Sequence, residues 1–343
     1  MNYNKVENSL IKFNNYLPIY VDMVYICLKD LFKSHKYIFM KVIIFSFFAL
    51  TFYSTLSAQT HRDTLVSEIV YNFPKDIASY EKLKVNIKKL EKLEGKRNPE
   101  ILDSKLIYIF EQNDFNYFKE ILTILTRYYG YNVSYLSGKE NYYESIMYGN
   151  LADWFKEMYI KNHSEWLSEN LNKQKMIFEL NTLSDKDQIV NGISADIYRS
   201  LKLNEEQQAI INNILDKHSF NNAQTLLDIS SNIGSLPTGN SFSLIQKNYN
   251  YVELHNLQRA NNFEKLWKSF YPFYKTSYLN KDISSIKFRT VDFTKYRHDG
   301  TQIFNLIKIE DFHESWRRNP DDKEIPIDNN EQTKKLRTEL GWF

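Results

Sequence analysis

The chain has 343 residues, of which 15% are aromatic, and 44 basic residues nearly balance 42 acidic ones for a formal net charge of +2. The aromatic content argues against a disordered chain, and the lack of a basic block excludes nucleic acid as a partner. With only 9 glycines and 7 prolines, a turn-rich β-sandwich is also excluded, and we expect a mainly α fold.

The first informative segment is the stretch from residue 40 to residue 58, which reads as a signal peptide beginning at an internal methionine. Lys41 supplies the charged start, Val42 to Phe52 is apolar, and small residues precede Ala58. The apolar run is shorter than the roughly 20 residues that span hydrocarbon. We therefore predict cleavage after Ala58 and a periplasmic or secreted protein; the alternative is an uncleaved inner-membrane anchor.

Cleavage there would change the character of the protein. Residues 1–39 are interpreted as an upstream extension from a wrongly chosen start codon. Loss of residues 1–58 removes the only cysteine, Cys27, and leaves 38 basic and 39 acidic residues. The exported chain is then free of cysteine, depends on packing for its stability, and is predicted not to insert stably into a membrane.

The region 59–171 is predicted to be an N-terminal helical region. Apolar residues spaced by three or four indicate one amphipathic helix that ends near Gly95 and a second that ends at Gly130. A third carries Trp154 and Phe155 and is followed by a short helix with Trp166. Aromatic stripes of this kind are typical of a packed core, so the expected architecture is a multi-helix bundle.

The region 172–343 is predicted to be a second, mainly helical domain. Asn204 and Gln207 have the spacing of a capping box at a helix start, and Gly234 is expected to end the next helix. After Arg297 we expect a turn, and imperfect alternation over 300–309 predicts a small β strand or hairpin. Asp328 is expected to cap the closing helix.

The order of several short segments in this second region resembles the bacterial domain-of-unknown-function family numbered six-six-two-four, over roughly Leu183 to Trp342. The resemblance rests on these pieces: Asp187 with Gln188, the loop Ile233, Gly234, Leu236, Pro237 and Thr238, His255, the segment Gly300, Thr301 and Gln302, and the closing Ile325 to Asp328 with Arg337, Leu340 and Gly341. It implies a mainly helical domain with a small strand element and no assigned activity. The chain departs from the family pattern near Asn191 and at His298 and Asp299.

The resemblance, rather than spacing, groups His255, Asp299, Thr301 and Gln302 as candidate catalytic residues, with Asp187 and Gln188 as possible additions. A histidine can act as a general base and an aspartate can orient it. Thr301 would then serve as a weak nucleophile and Gln302 as an oxyanion donor. The competing interpretation is structural, with a packed His255 and with Gln302 capping a turn.

The search for known catalytic and metal-binding motifs predicts no cofactor and no metal. Zinc-protease, nucleophile-elbow and phosphate-loop motifs do not occur in the sequence. A metal site from His298, His313 and Asp299 has no characteristic ligand spacing.

Two functions follow from these observations. The preferred hypothesis is a non-catalytic interaction or binding module of the cell envelope, with an unknown protein or envelope component as its partner. The alternative is a hydrolase of an unknown envelope or extracellular substrate that uses a His/Asp pair. Whether the chain is an enzyme is left open by the sequence.

Overall fold

The computed structural model describes residues 61–71, 73–133, 141–245, 249–319 and 321–342. The predicted extension and signal peptide lie outside these residues. All described residues belong to one compact unit that comprises residues 59–343. The described part is mainly helical, as predicted.

The first half of this unit is built from six helices that cover a shared apolar core. They are α1 (61–71), α2 (Ile77–Glu94), α3 (Pro99–Glu111), α4 (Phe115–Tyr129), α5 (Tyr143–Met147) and α6 (Ala152–Glu169). Gly95 and Gly130 end α2 and α4 in the left-handed conformation, which glycine adopts without steric cost. Both predicted helix ends are therefore confirmed.

The second half begins after a 3-10 turn at Leu171–Lys173. Its helices are α7 (Gln174–Ser200), α8 (Glu205–Ile233), α9 (Gly239–Phe242), α10 (Asn250–Leu257), α11 (Ala260–Leu279), α12 (Ile286–Asp299) and α13 (Glu331–Glu339). The predicted capping box of Asn204 and Gln207 opens α8. Two helices predicted between residues 204 and 234 form this single helix.

The long helices α7 and α8 form an antiparallel hairpin, joined by residues 201–204. Near its open end the hairpin is buried: Leu180 and Leu183 of α7 and Leu226 and Ile229 of α8 belong to the same apolar cluster. Towards the connecting loop, Ser194 of α7 is the last buried residue, and α8 has no buried residue before Leu215. The distal part of the hairpin is thus a two-helix projection with little cover.

Two large apolar clusters hold the unit together. One contains residues from α1 to α6 together with Ile245, and the other extends from Trp166 to Leu340. Their helices are also tied by polar contacts, such as the buried Arg62 of α1, which binds the Glu94 carboxylate at 2.7 Å and the Ile283 carbonyl at 2.9 Å. The predicted division at residue 171 stays a prediction.

The predicted strand or hairpin at 300–309 does not form. In this segment, the described residues show a single parallel bridge between Gln302 and Ile327. The reason is that buried Asp292 on α12 accepts hydrogen bonds from the backbone N–H groups of Ile303, Phe304 and Leu306 at 2.8–3.0 Å. These donors are no longer available for a strand ladder.

Two smaller predictions also change. His298 and Asp299, expected in a turn, close α12, and Gly300 caps it. The N-cap of α13 is Asn330 rather than Asp328. No helix in the described residues combines the length and apolar character needed to cross a membrane.

Candidate functional site

His255 on α10 faces the inner side of the hairpin. Its Nδ1 atom lies 2.5 Å from Oδ2 of Asp187, a residue 68 positions earlier on α7. Asn191 follows Asp187 by one helical turn, so both side chains share a face of α7, and the Asn191 amide nitrogen lies 3.1 Å from the same Nδ1. α7 therefore presents two polar side chains to one imidazole.

The Asp187 carboxylate is fully buried, and its Oδ1 atom has no hydrogen-bond partner. An ionised carboxylate accepts hydrogen bonds but donates none. We therefore assign a proton to Nδ1 of His255, which donates to Asp187. The Asn191 amide donates instead to the Asp187 backbone oxygen at 2.8 Å. The second ring nitrogen of His255, Nε2, has no hydrogen-bond partner among the described residues, and the side chain is 20% exposed.

Arg259, at the start of α11, connects this pair to α8. Its guanidinium lies 3.0 Å from the Asp216 carboxylate and 3.2 Å from the Ser219 hydroxyl. It also donates to the Asn191 side-chain oxygen at 3.3 Å. Asp187, Asn191, Asp216, His255 and Arg259 thus form a continuous polar seam between α7, α8 and the α10–α11 junction.

The polar seam has the components of a general base. A buried aspartate that holds Nδ1–H leaves Nε2 as the proton acceptor, which is the arrangement that orients catalytic histidines. The exposed ring of Tyr251 stacks beside His255 with centroids 6.3 Å apart. However, no serine or threonine hydroxyl is hydrogen-bonded to His255 among the described residues, so a water molecule would have to be the nucleophile.

Asp299 and Thr301 lie elsewhere and contact each other. Asp299 Oδ1 accepts from the Thr301 hydroxyl at 2.8 Å and from its backbone N–H at 3.1 Å, and Lys295 binds Oδ2 at 2.5 Å. Partial burial opposes ionisation of Asp299, but the hydrogen bonds from Lys295 and Thr301 outweigh it and lower the pKa of this carboxyl. These contacts are those of a helix C-terminus and its turn.

Gln302 is buried and is hydrogen-bonded at both ends of its amide. Its Nε2 donates to the Ile325 carbonyl at 3.0 Å, and its Oε1 accepts from the Ile307 N–H at 3.2 Å. Within the described residues, no hydrogen bond joins His255 to Asp299, Thr301 or Gln302. The structure therefore brings His255 together with Asp187, and Asp299 together with Thr301. Gln188 is exposed on α7.

Sequence reasoning gave Asp187 only a secondary place, although a signal for it exists. Leu180, Leu183 and Asp187 continue one stripe at helical spacing, which places an acidic residue at a core position of α7. Such a position needs a polar partner from another element. Arg259 and Asp216 were missed because their pairing spans 43 residues and leaves no local pattern.

Sequence reasoning also missed a second histidine, His163 on α6. It stacks on Tyr159 with ring centroids 4.8 Å apart, its Nδ1 atom is buried without a hydrogen bond, and burial lowers its pKa. It lines a cavity of about 190 Å³ together with Gly130, Asn132, Trp166, Leu167, Gln174, Ile177, Phe178, Asn181 and Leu244. His163 is thus packed against the rings of Tyr159 and Trp166.

A third polar cluster connects the two halves of the unit. Glu253 on α10 is buried and lies 2.7 Å from the Lys287 ammonium of α12, while Oε1 of Glu253 has no hydrogen bond. The Thr238 hydroxyl, in the loop before α9, donates to Glu100 of α3 at 3.3 Å. These contacts fix helices rather than surround an open site.

Metal binding has no support in the part of the chain that the structure describes, where no group of three or more His, Cys, Asp or Glu side chains could hold an ion. His298 Nε2 lies 2.7 Å from the Leu257 carbonyl, and His313 Nδ1 lies 2.9 Å from the Ser315 hydroxyl. Each of these two histidines thus has a hydrogen-bond partner on its ring.

Comparison with protein-family models, with curated proteins and with solved structures finds no match to this chain. The resemblance to the family numbered six-six-two-four stays a prediction.

Proposed function

We propose that this protein is a non-catalytic interaction module of the cell envelope that docks through the outer face of the α7–α8 hairpin. The observation that carries the proposal is a group of four isoleucines with more than half of their surface exposed. They are Ile189 (60%), Ile193 (56%), Ile210 (55%) and Ile214 (59%), and they define the outer face.

The polar seam explains why these isoleucines point outwards. Asp187 and Asn191 face α10, and residues two positions further along a helix lie about 200° around it. Ile189 and Ile193 are therefore on the opposite side of α7. On α8, Ile214 precedes the inward-facing Asp216 by two residues and is turned outwards in the same way.

Exposed isoleucines in this number favour contact with another surface. Burying a fully exposed isoleucine stabilises a complex by about 1.5–3 kcal/mol, so four that are half exposed could supply about 3–6 kcal/mol. Monomeric proteins seldom leave contiguous apolar patches of this kind uncovered. The isoleucines lie on a projecting pair of helices with little cover of its own, as expected for a docking element.

The envelope assignment is supported by the leader-like sequence at residues 40–58. The partner is a protein or envelope component that presents an apolar surface. After removal of the leader, the protein would have no stable membrane insertion.

The test is site-specific photocrosslinking in intact cells of the natural source. A photoreactive amino acid at Ile193 should give one discrete adduct, and Ile189→Glu with Ile210→Glu should abolish it. The control carries the same amino acid at Lys92, which is exposed on α2 and should give no adduct. Equal labelling at both positions, or none at Ile193, contradicts the proposal.

A second candidate function is hydrolysis, favoured by the 2.5 Å contact between His255 and Asp187. Nε2 of His255 would take a proton from water as its oxygen attacks an acyl or phosphoryl centre, and the protonated ring would return it to the leaving group. Asp187 rather than Asp299 would orient the ring. A hydrolase substrate panel assayed with the wild type and His255→Ala tests this candidate; activity retained in the variant rejects it.

A further inference from the structure

We infer that the occupant of the outer face is a second copy of this chain, packed antiparallel across a two-fold axis. This inference rests on the proposed function and commits it to one partner. It is carried by the order of charged and apolar side chains along the two helices of the hairpin.

The exposed stripe of α8, formed by Glu206, Ile210, Ile214 and Lys217, has a charge order that is complementary to an antiparallel copy of itself. Along its exposed side, Glu206 is followed by Ile210, Ile214 and Lys217 at steps of four, four and three residues, so all four lie on one side of the helix. An antiparallel copy centred between the two isoleucines would bring Glu206 opposite Lys217 of the partner subunit, and the reverse pair follows by symmetry. A parallel copy would place like charges together.

The α7 stripe repeats the pattern with the signs exchanged. Lys186 precedes Ile189 and Ile193, and Asp196 follows them. An antiparallel copy centred between these isoleucines brings Lys186 opposite Asp196 of the partner subunit. Because isologous contacts pair each surface with itself, such palindromic charge order is what a two-fold interface requires.

Both stripes can meet their copies about one axis because they lie side by side. The connection at residues 201–204 sets position 191 of α7 opposite about position 214 of α8, and the Tyr198 hydroxyl of α7 hydrogen-bonds the Gln208 carbonyl and the Asn212 side chain of α8. The centres of the two stripes, near positions 191 and 212, therefore lie within about 3 Å of each other along the hairpin. A two-fold axis that crosses the hairpin in the plane of the interface sets each helix antiparallel to its own copy.

The charged residues of the α8 stripe are free to form these pairs. Glu206 and Lys217 are exposed, and neither has an ion-pair or hydrogen-bond partner in the part of the chain that the structure describes. Asp196 has only the exposed Arg199 at 3.5 Å, a contact that surface side chains exchange readily.

The size of the face is also adequate. From the exposed Phe178 on α7 to the exposed Leu201 just beyond its end, the hairpin extends about 35 Å at 1.5 Å per residue, and two adjacent helices are about 20 Å wide. The resulting area of about 700 Å² approaches the roughly 800 Å² that each partner contributes to a standard protein interface.

The experiment measures the dimer dissociation constant of the purified full chain by analytical ultracentrifugation. Glu206→Lys and Lys217→Glu should each weaken the dimer about 10-fold or more, because each creates two like-charge pairs per dimer. The double variant, which exchanges the charges, should return the constant to within about threefold of the wild type.

Glu205→Lys is the matched control. It makes the same charge change in the same first turn of α8 but lies about 100° around the helix, so the dimer should be affected much less. A chain that is monomeric at every concentration, or a double variant that does not recover, overturns the inference. A discrete adduct of Ile193 with another protein, together with a monomeric chain, would leave the proposed function standing; loss of both results would reject both.

Discussion

The Asp187 carboxylate and the His255 imidazole form a 2.5 Å contact that closes the inner side of the α7–α8 hairpin. The carboxylate is fully buried, and among the described residues His255 is the only side chain that bonds to it. This pairing sets the rotation of α7, because the face that carries Asp187 must point to α10. It thereby also sets which residues face solvent.

The first prediction concerns this pair. His255→Ala should lower the free energy of unfolding at pH 7 by about 3–5 kcal/mol, because it leaves a buried carboxylate without its partner. In a variant that also carries Asp187→Asn, the loss should fall to about 1–2 kcal/mol, since no charge is then buried. Urea unfolding of both variants measures the difference; equal losses would show that the charge is unimportant.

Gly130 and Gly95 provide a matched comparison of backbone strain and steric overlap. Both have positive φ, +62° and +70°, but a Cβ atom at Gly130 would overlap the Trp166 ring, whereas at Gly95 it would meet nothing within 4 Å. Gly130→Ala should therefore cost about 3 kcal/mol and Gly95→Ala about 1 kcal/mol. Thermal unfolding at one protein concentration separates the two, and similar losses would contradict the packing of Trp166.

Asp292 predicts a pH dependence. Burial raises the pKa of this carboxyl to about 6, although three backbone N–H groups oppose the shift. The unfolded chain has the ordinary value of 3.8, so the folded state holds the proton more tightly. The stabilisation is complete below pH 3.8 and is lost as pH rises through 6, a loss of about 3 kcal/mol.

The measurement for Asp292 is the difference in unfolding free energy between the wild type and Asp292→Asn from pH 4 to pH 7. Other carboxyls cancel in this difference. Relative to Asp292→Asn, the wild type should lose about 2.5 kcal/mol of unfolding free energy between pH 4 and pH 7. A constant difference would exclude a raised pKa for this group.

At alkaline pH, the buried Lys105 should make the stability of the protein rise with pH, opposite to the effect of Asp292. Burial lowers its pKa to about 8, and its ammonium donates to the Val70 carbonyl at 3.0 Å. The unfolded chain keeps its proton up to about 10.5, so wild-type stability should rise between pH 8 and 10.5. Lys105→Met removes the buried charge and should stabilise the protein at pH 7 by about 2 kcal/mol. Denaturant unfolding of the wild type at pH 8 and pH 10.5 measures whether its stability rises, and unfolding of both proteins at pH 7 measures whether Lys105→Met is the more stable.

Gln302 separates a structural role from a catalytic one. Gln302→Leu leaves the Ile325 carbonyl and the Ile307 N–H without their side-chain partner, which should cost about 3 kcal/mol. Gln188→Leu, at an exposed position of α7, should change stability by less than about 0.5 kcal/mol. If Gln302→Leu folds with wild-type stability, the hydrogen bonds of Gln302 to Ile325 and Ile307 are not important for folding.

Local sequence patterns correctly predicted several helix boundaries. The helix ends at Gly95 and Gly130 and the capping box of Asn204 and Gln207 follow from interactions within a few residues, so the sequence alone predicted them. The same holds for the mainly helical fold, which depends on helical spacing of apolar residues.

The strand predicted at 300–309 failed because its backbone donors are taken by Asp292, which lies 11–14 residues earlier. The alternation of apolar residues over 300–309 cannot show that a distant carboxylate binds the backbone N–H groups of this segment. The family resemblance grouped Asp299 with His255, whereas in the structure the carboxylate that contacts His255 belongs to Asp187.

The sequence by itself determined the helices and the residues that end them, because those signals act over one or two turns. Only the tertiary structure decided that Asp187 meets His255, that Arg259 joins α7 to α8, and that Ile189, Ile193, Ile210 and Ile214 stay exposed. A helix has several faces, and which one is buried depends on side chains that arrive from distant parts of the chain.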